Sequence, residues 1–246
     1  MGSVPAPNSS SPNFDTLQIG EKPDFCNHNV LQRNRLPPRA YFLPTTSLLL
    51  NGIWDFNYAS NPLEAPDPKD HNSIGGMLPA DRDIFTPSES SDGALITNLD
   101  PHQPGLLWTT IQVPGNWQLQ GHGRPQYTNV IYPFPVCPPY VPTDNPTGTY
   151  RRSFHIPSDW ETSTQLRLRF DGVDSAFHVW VNGLLVGYSQ GSRNPAEFDI
   201  TTAVDRSAAN EVFVRVYQWC DGSYIEDQDQ WWLSGEYNYI LYSDFH

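Results

Sequence analysis

Cysteine is scarce. The chain has three in 246 residues, Cys26, Cys137 and Cys220. An odd number at wide spacing excludes the disulfide framework of a small secreted domain and gives no zinc-ligand spacing. Basic residues are also few, with 14 Lys and Arg against 27 Asp and Glu and a formal net charge of −13 at pH 7. That balance excludes the basic surface that nucleic acid or an anionic membrane requires. No apolar run approaches the roughly 20 residues of a membrane-crossing helix. The opening MGSVPAPNSSSPNF lacks the charged start and apolar stretch of a secretory signal. Ala6 stands where the myristoylation pattern needs Ser or Thr, and Asn8-Ser9-Ser10 is a glycosylation sequon without a signal to make it meaningful. A cytoplasmic location is expected.

Helical periodicity is nearly absent too, whereas strand patterns are plentiful. Residues 1–24, rich in Pro, Ser and Asn, read as a flexible leader, and the folded domain is expected over 33–246 with 1–32 ahead of it. SLLLNGIWDFNYA (Ser47–Ala59), in which Ile53, Asp55 and Asn57 alternate with Trp54, Phe56 and Tyr58 after an Asn51-Gly52 turn, reads as a first strand. Residues 60–106, dense in Pro, Gly, Asp and Ser, read as a long irregular insertion. LLWTTIQVP then ends a strand at Pro114, and TGTYRRSFHIP alternates Tyr150, Arg152, Phe154 and Ile156. TQLRLRFDGV sets Leu166, Leu168 and Phe170 on one face, with Arg167 and Arg169 on the other. AFHVWVNGLLVGYS is a hairpin, because Asn182-Gly183 supplies the positive φ angles of a tight turn. EFDIT is a short strand, and NEVFVRVYQW brings Val212, Val214 and Val216 together. Seven or more short strands between Gly and Pro turns predict an all-β antiparallel sandwich, a jelly roll.

Several patterns suggest chemistry. Gly187-Tyr188-Ser189-Gln190-Gly191 matches the nucleophile elbow G-x-S-x-G, but a strand pattern follows where the elbow needs a helix. The downstream histidine that a triad would need is the terminal His246. A hairpin exit turn explains the pattern better. His178, between Phe177 and Val179, reads as a packed or hydrogen-bonded strand residue. Trp231 and Trp232 are core aromatics or a sugar-stacking platform; as strand neighbours they face opposite ways, so at most one is a platform. DGSYIEDQDQWWLSG places Asp221, Glu226, Asp227 and Asp229 within nine residues. Such carboxylates are either a solvated loop or a polar ligand site, because they cannot all be buried ionised without a cation or several donors.

Pro114-Gly115-Asn116-Trp117-Gln118, Pro125-Gln126-Tyr127-Thr128-Asn129-Val130 and Pro142-Thr143-Asp144-Asn145-Pro146-Thr147-Gly148 occur in that order. Phe170-Asp171-Gly172-Val173, Val181-Asn182-Gly183, Gly187-Tyr188, Ser192-Arg193, Glu197-Phe198-Asp199 and Asp221 to Asp229 follow them. Together they resemble the N-terminal sugar-binding domain of glycoside hydrolase family 2 β-galactosidases. Asn34 to Ala40 and Gln230-Trp231-Trp232-Leu233-Ser234-Gly235 are similar to the fungal and yeast branch. The resemblance implies a jelly roll, galactose-binding-domain-like, that leans on a TIM barrel and lends it one flank of a galactose pocket. It implies that Asn129 hydrogen-bonds sugar hydroxyls and that Asp229 holds a galactose hydroxyl and a sodium ion. No role transfers to Asp221, Glu226 or Asp227, which read as loop-shaping or barrel-contacting groups.

Retaining glycoside hydrolysis needs two carboxylates about 5 Å apart. In the family both are glutamates of the barrel, which also carries the magnesium site, so no catalytic residue is expected in this chain. Glu226 and Asp229 are a poor local substitute, three residues apart on a turn. After Gly235 the sequence EYNYILYSDFH departs from the family pattern, which suggests a truncated product or an unspliced intron. Tyr237, Tyr239, Leu241 and Phe245 alternate well enough for a closing strand, and a bare barrel-facing surface is expected to expose apolar groups. The implied partners are a β-galactoside and the barrel, within an enzyme that is oligomeric in the family. The alternatives are a stand-alone carbohydrate-binding module and a non-catalytic partner of a full-length enzyme.

Overall fold

A computed structural model describes residues 22–39, 44, 46–68, 108–128, 132–226, 230–232, 235–236 and 239–244. The strands run in chain order β1 (Gln32–Arg33), β2 (Ser47–Leu49), β3 (Gly52–Ala59), β4 (Thr109–Val113) and β5 (Gly115–Asn116). Next come β6 (Gln126–Thr128), β7 (Thr147–Phe154), β8 (Gln165–Phe170), β9 (Val173–Asp174), β10 (Ala176–Val181) and β11 (Leu184–Gln190). The series ends with β12 (Ala196–Asp199), β13 (Asn210–Tyr217), β14 (Gln230–Trp232), β15 (Gly235–Glu236) and β16 (Tyr239–Asp244). A seven-stranded sheet, β1-β11-β10-β13-β7-β3-β4, faces a four-stranded sheet, β12-β8-β16-β2. All pairings are antiparallel, so the expected all-β sandwich is what forms.

The alternation read from the sequence sets the core between these sheets. Leu166, Leu168 and Phe170 of β8 meet Phe177, Val179 and Val181 of β10 and Val212, Val214 and Val216 of β13 in one buried cluster. Asn182 and Gly183 sit at φ 51° and 75°, and β10 returns through them into β11. Trp117 and Gly148, from two separate Pro/Gly motifs, are packed against each other. A Cβ on Gly148 would lie 2.4 Å from Trp117 Cζ3 and 2.9 Å from Phe56 Cε2. Gly148→Ala is therefore expected to cost about 1–3 kcal/mol by overpacking, read as a lower midpoint in thermal unfolding; an unchanged midpoint contradicts the tight fit.

Two expectations need correction. Ser47–Ala59 is not one strand. β2 belongs to the small sheet and β3 to the large one, with Gly52 at φ 126° between them. Arg152 secures the crossing by donating from one guanidinium nitrogen to the carbonyls of Leu50 and Asn51, both at 2.8 Å. The domain also begins well before residue 33. Asp24, Phe25 and Cys26 form a buried 3-10 turn, and Gln32–Arg33 pairs with β11. The segment is fixed because Asp24, 1% exposed, accepts from Arg33 Nε and a second guanidinium nitrogen at 2.6 and 2.8 Å, and contacts His178 Nε2 at 3.1 Å. Residues 60–68 of the insertion carry only turns and bends and lie on the large sheet, where Arg215 donates to the Pro66 carbonyl and its guanidinium stands over Trp180. Residues 69–107 lie outside the described residues.

The closing strand was legible. β16 inserts between β8 and β2, with Leu241 opposite Leu168 on one side and Leu48 on the other. Among the described residues no helix is long and apolar enough to cross a membrane.

Candidate functional site

β6 and β14 form a short two-stranded ribbon in which Thr128 pairs with Gln230 and Tyr127 with Trp231. Asn129 and Asp229, the two sugar-contacting residues expected from the sequence, lie outside the described residues, as does Asp227. Each of the two is nevertheless bonded directly to a member of one cross-strand pair: Asn129 follows Thr128, and Asp229 precedes Gln230. Directly paired strand residues have Cα atoms about 4.5–5.5 Å apart. Two stretches distant in sequence thus meet in the ribbon.

The approach to the ribbon is rigidly built. β13 leads through Gln218 to a 3-10 turn at Asp221–Tyr224. The Asn145 side chain brackets the strand exit, donating to the Trp219 carbonyl and accepting from the Trp219 amide, each at 2.9 Å. Tyr132 donates to the Ser223 carbonyl at 2.6 Å and stacks on Tyr224 with ring centroids 5.4 Å apart. Tyr224 donates in turn to the Tyr140 carbonyl at 2.5 Å. Beyond this aromatic clamp Ile225 is 90% exposed and Val136 67% exposed.

Of the four acids in the segment, two are described. Glu226 Oε1 accepts from Ser192 Oγ at 2.8 Å and from the Ser192 amide at 3.4 Å. Burial raises the Glu226 pKa, while the Ser192 hydrogen bonds and the Arg193 charge oppose that rise. Burial likewise raises Asp221, against a hydrogen bond from Gln190. A third carboxylate, which the sequence did not single out, joins them. Asp174 in β9 is pushed up to about 7 by burial, with Arg193 lowering it and Glu226 raising it. Its Oδ2 lies 3.4 Å from Arg193 Nε. Glu226 Oε2, Asp221 Oδ1 and Asp174 Oδ1 are all buried without a hydrogen-bond partner among the described residues.

The other sequence candidates are structural. Ser189 lies inside β11, opposite Phe177 and Gln32, not on an elbow, and its hydroxyl accepts from Arg35 at 3.0 Å. His178 pairs with Tyr188, so its side chain leaves the sheet on the face opposite to that of Ser189. It bridges Asp24 and the Tyr217 hydroxyl at 3.1 and 3.0 Å, as a packed, hydrogen-bonded histidine. The three cysteines are free thiols.

The chain is thus an antiparallel sandwich with a carboxylate-bearing segment next to an aromatic clamp of Tyr132 and Tyr224. The family can be stated more closely, because the model for glycosyl hydrolases family 2, sugar binding domain, matches residues 48–243, and the chain belongs to that family. It is 43% identical over 215 residues to a β-galactosidase of Kluyveromyces lactis, covering 86% of this chain and 18% of that protein. A β-galactosidase of Psychromonas ingrahamii is 56% identical over 128 residues, 52% of this chain and 12% of the relative. The chain thus spans less than a fifth of the length of these curated relatives. Among solved structures, a β-glucuronidase of Bacteroides uniformis aligns with 80% of this chain and 18% of its own at 19% identity and a TM-score of 0.46.

Proposed function

We propose that this chain is the sugar-site flank of a β-galactosidase acting on terminal β-D-galactosides, with the bond-breaking glutamates in a separate TIM-barrel unit. Asn129 hydrogen-bonds galactose hydroxyls, and Asp229 holds a galactose hydroxyl together with a sodium ion. The observation that supports this reading is the Thr128–Gln230 pair, which brings together the chain stretches bearing those two residues. Oxygen donors suit a hard cation, and the neighbouring carboxylates Glu226 and Asp221 each keep a buried oxygen unbonded. No three His, Cys, Asp or Glu side chains converge on a metal among the described residues. In this reading sodium is held by Asp229 together with donors from the barrel, and the magnesium of the catalytic reaction belongs to the barrel. Exposed Ile225 and Val136 beside the site suit burial against that barrel. Three free thiols suit a reducing cytoplasm.

One wall of a pocket binds weakly. Calorimetric titration with galactose is expected to give a dissociation constant in the millimolar range or above. Asp229→Ala removes a charged hydrogen bond and should weaken binding by about tenfold or more, with Asn129→Ala giving a smaller loss. Micromolar binding would favour a stand-alone carbohydrate-binding module, and binding indifferent to both substitutions would overturn the assignment of these residues.

A further inference from the structure

β4 ends the seven-stranded sheet, with β3 on its inner side and, among the described residues, no strand on its outer side. Such an edge offers unpaired N–H and C=O groups to any strand that comes alongside, and proteins blunt it with charged side chains, proline or a covering group. Charge is missing here. TTIQVPGNWQLQG (Thr109–Gly121) holds no acidic or basic residue, in a chain with 27 acids and 14 bases. Four of the five residues of β4 are β-branched, which suits a pairing strand.

What stands on this edge instead is one amide. Gln120 Oε1 accepts from the Gln112 N–H at 2.8 Å, and Gln120 Nε2 donates to the Gln112 carbonyl at 3.0 Å. Those are the two bonds that a residue of a neighbouring strand would make. The side chain reaches the edge because the 3-10 turn Trp117–Gln120 brings the chain back beside β4. It also needs the space at Gly115, where a Cβ would lie 2.7 Å from Gln120 Nε2 and 3.0 Å from the Gln112 carbonyl oxygen. Both glutamines are exposed, so burial does not hold the amide in place. Backbone groups alternate in direction along a strand. Thr110 therefore points outward like Gln112, while Ile111, opposite Trp54, bonds to β3.

We propose that Gln120 guards the β4 edge against a second copy of this chain. With the amide swung aside, two β4 edges fit each other about a two-fold axis passing between their Ile111 residues. Thr110 of each copy then stands opposite Gln112 of the other, and every outward N–H and C=O of the two residues is paired. A contact of this kind uses the same patch on both copies, as two-fold dimers do, and this stretch brings no charge of its own to oppose it. Each copy must give up its Gln120 bonds in order to pair, so the amide keeps the edge closed in the isolated chain.

The test uses the whole chain as wild type, as Gln120→Ala, as Gly115→Ala, which displaces the amide, and as Gln120→Ala combined with Thr110→Pro, which withdraws an outward N–H and spares the bonds to β3. Amide hydrogen exchange at high dilution and sedimentation over a concentration series are the readouts. In Gln120→Ala the Gln112 amide should exchange about tenfold faster than in the wild type, while the Ile111 amide keeps its rate. The dimer dissociation constant should fall about tenfold or more below that of the wild type, and Gly115→Ala should move both readouts the same way. Adding Thr110→Pro should return Gln120→Ala to wild-type sedimentation. Wild-type exchange at Gln112 in Gln120→Ala overturns the guard. So does faster exchange with unchanged sedimentation, because the opened edge then attracts no second copy. Association that survives Thr110→Pro overturns it too, because the contact then runs through another face. If Gln120→Ala loosens β4 as a whole, seen as faster exchange at Ile111, Gly115→Ala decides by the same outcomes with every side chain of the turn in place.

Discussion

Glu197→Ala is expected to destabilise the domain by about 3–5 kcal/mol, the cost of breaking a buried ion pair from one side. Glu197 is 5% exposed and sits among three guanidinium groups. Its Oε1 accepts from Arg169 at 2.7 Å, while its Oε2 lies 3.4 Å from Arg167 and 3.1 Å from Arg39. Arg169 is itself 2% exposed and also donates to Asp171 at 2.6 Å. Truncating Glu197 takes a carboxylate away from a buried cation and sets three like charges against one another. Since domains of this kind hold only about 5–15 kcal/mol in total, the denaturation midpoint should drop steeply. Glu197→Gln, which retains an acceptor, should lose less. A loss below about 1 kcal/mol for the alanine variant would show that the guanidinium groups find other partners.

The second large effect is one of pH. Burial pushes Asp174 up from an ordinary 3.8 to about 7. A folded-state pKa above the unfolded one means stability fully present below about pH 4 and lost as pH rises through about 7. At about pH 8 the ionised Asp174 should cost up to about 4 kcal/mol, three pKa units at about 1.4 kcal/mol each. Asp174→Asn is therefore expected to equal the wild type near pH 4 and to exceed it at about pH 8 in urea unfolding. Asp221 and Glu226, also raised, add to the same limb. The opposite limb comes from Asp24. Burial alone would raise it, but hydrogen bonds from His178 and Arg33 outweigh that and hold it below its usual value. Its contribution is present above about pH 4 and disappears as pH falls through its folded pKa. Identical alkaline behaviour of wild type and Asp174→Asn would contradict the buried placement of this carboxylate.

The sandwich was legible in the sequence because its strands alternate over six to eight residues and its hairpin carries Asn182-Gly183, both local features. The closing strand at 239–244 was legible for the same reason, even though its sequence departs from the family pattern. The N-terminal anchor was not. Asp24-Phe25-Cys26 is too short to show a period, and the Pro- and Ser-rich stretch before it argues for a loose leader. What fixes it is a contact between Asp24 and His178, more than 150 residues away. The Asn51-Gly52 turn inside Ser47–Ala59 was legible, but its crossing between two sheets was not, because Arg152, which braces the crossing, looks from the sequence like one more alternating strand residue. At the site, Asn129 and Asp229 could be named only through resemblance to a family, since no spacing rule joins residues from different strands. Asp174 gave no chemical signal at all, and Ser192-Arg193 showed only as part of a family motif.

The most direct measurement is hydrolysis of a chromogenic β-galactoside by the purified chain and by its Asp229→Ala variant. If these residues grip one side of the galactose unit while the acids that break the bond reside elsewhere, neither protein turns the substrate over, although the wild type binds galactose weakly. Turnover by the purified wild-type chain that persists in Asp229→Ala, with no contaminating enzyme present, would place the reacting groups within these 246 residues and contradict that division of labour.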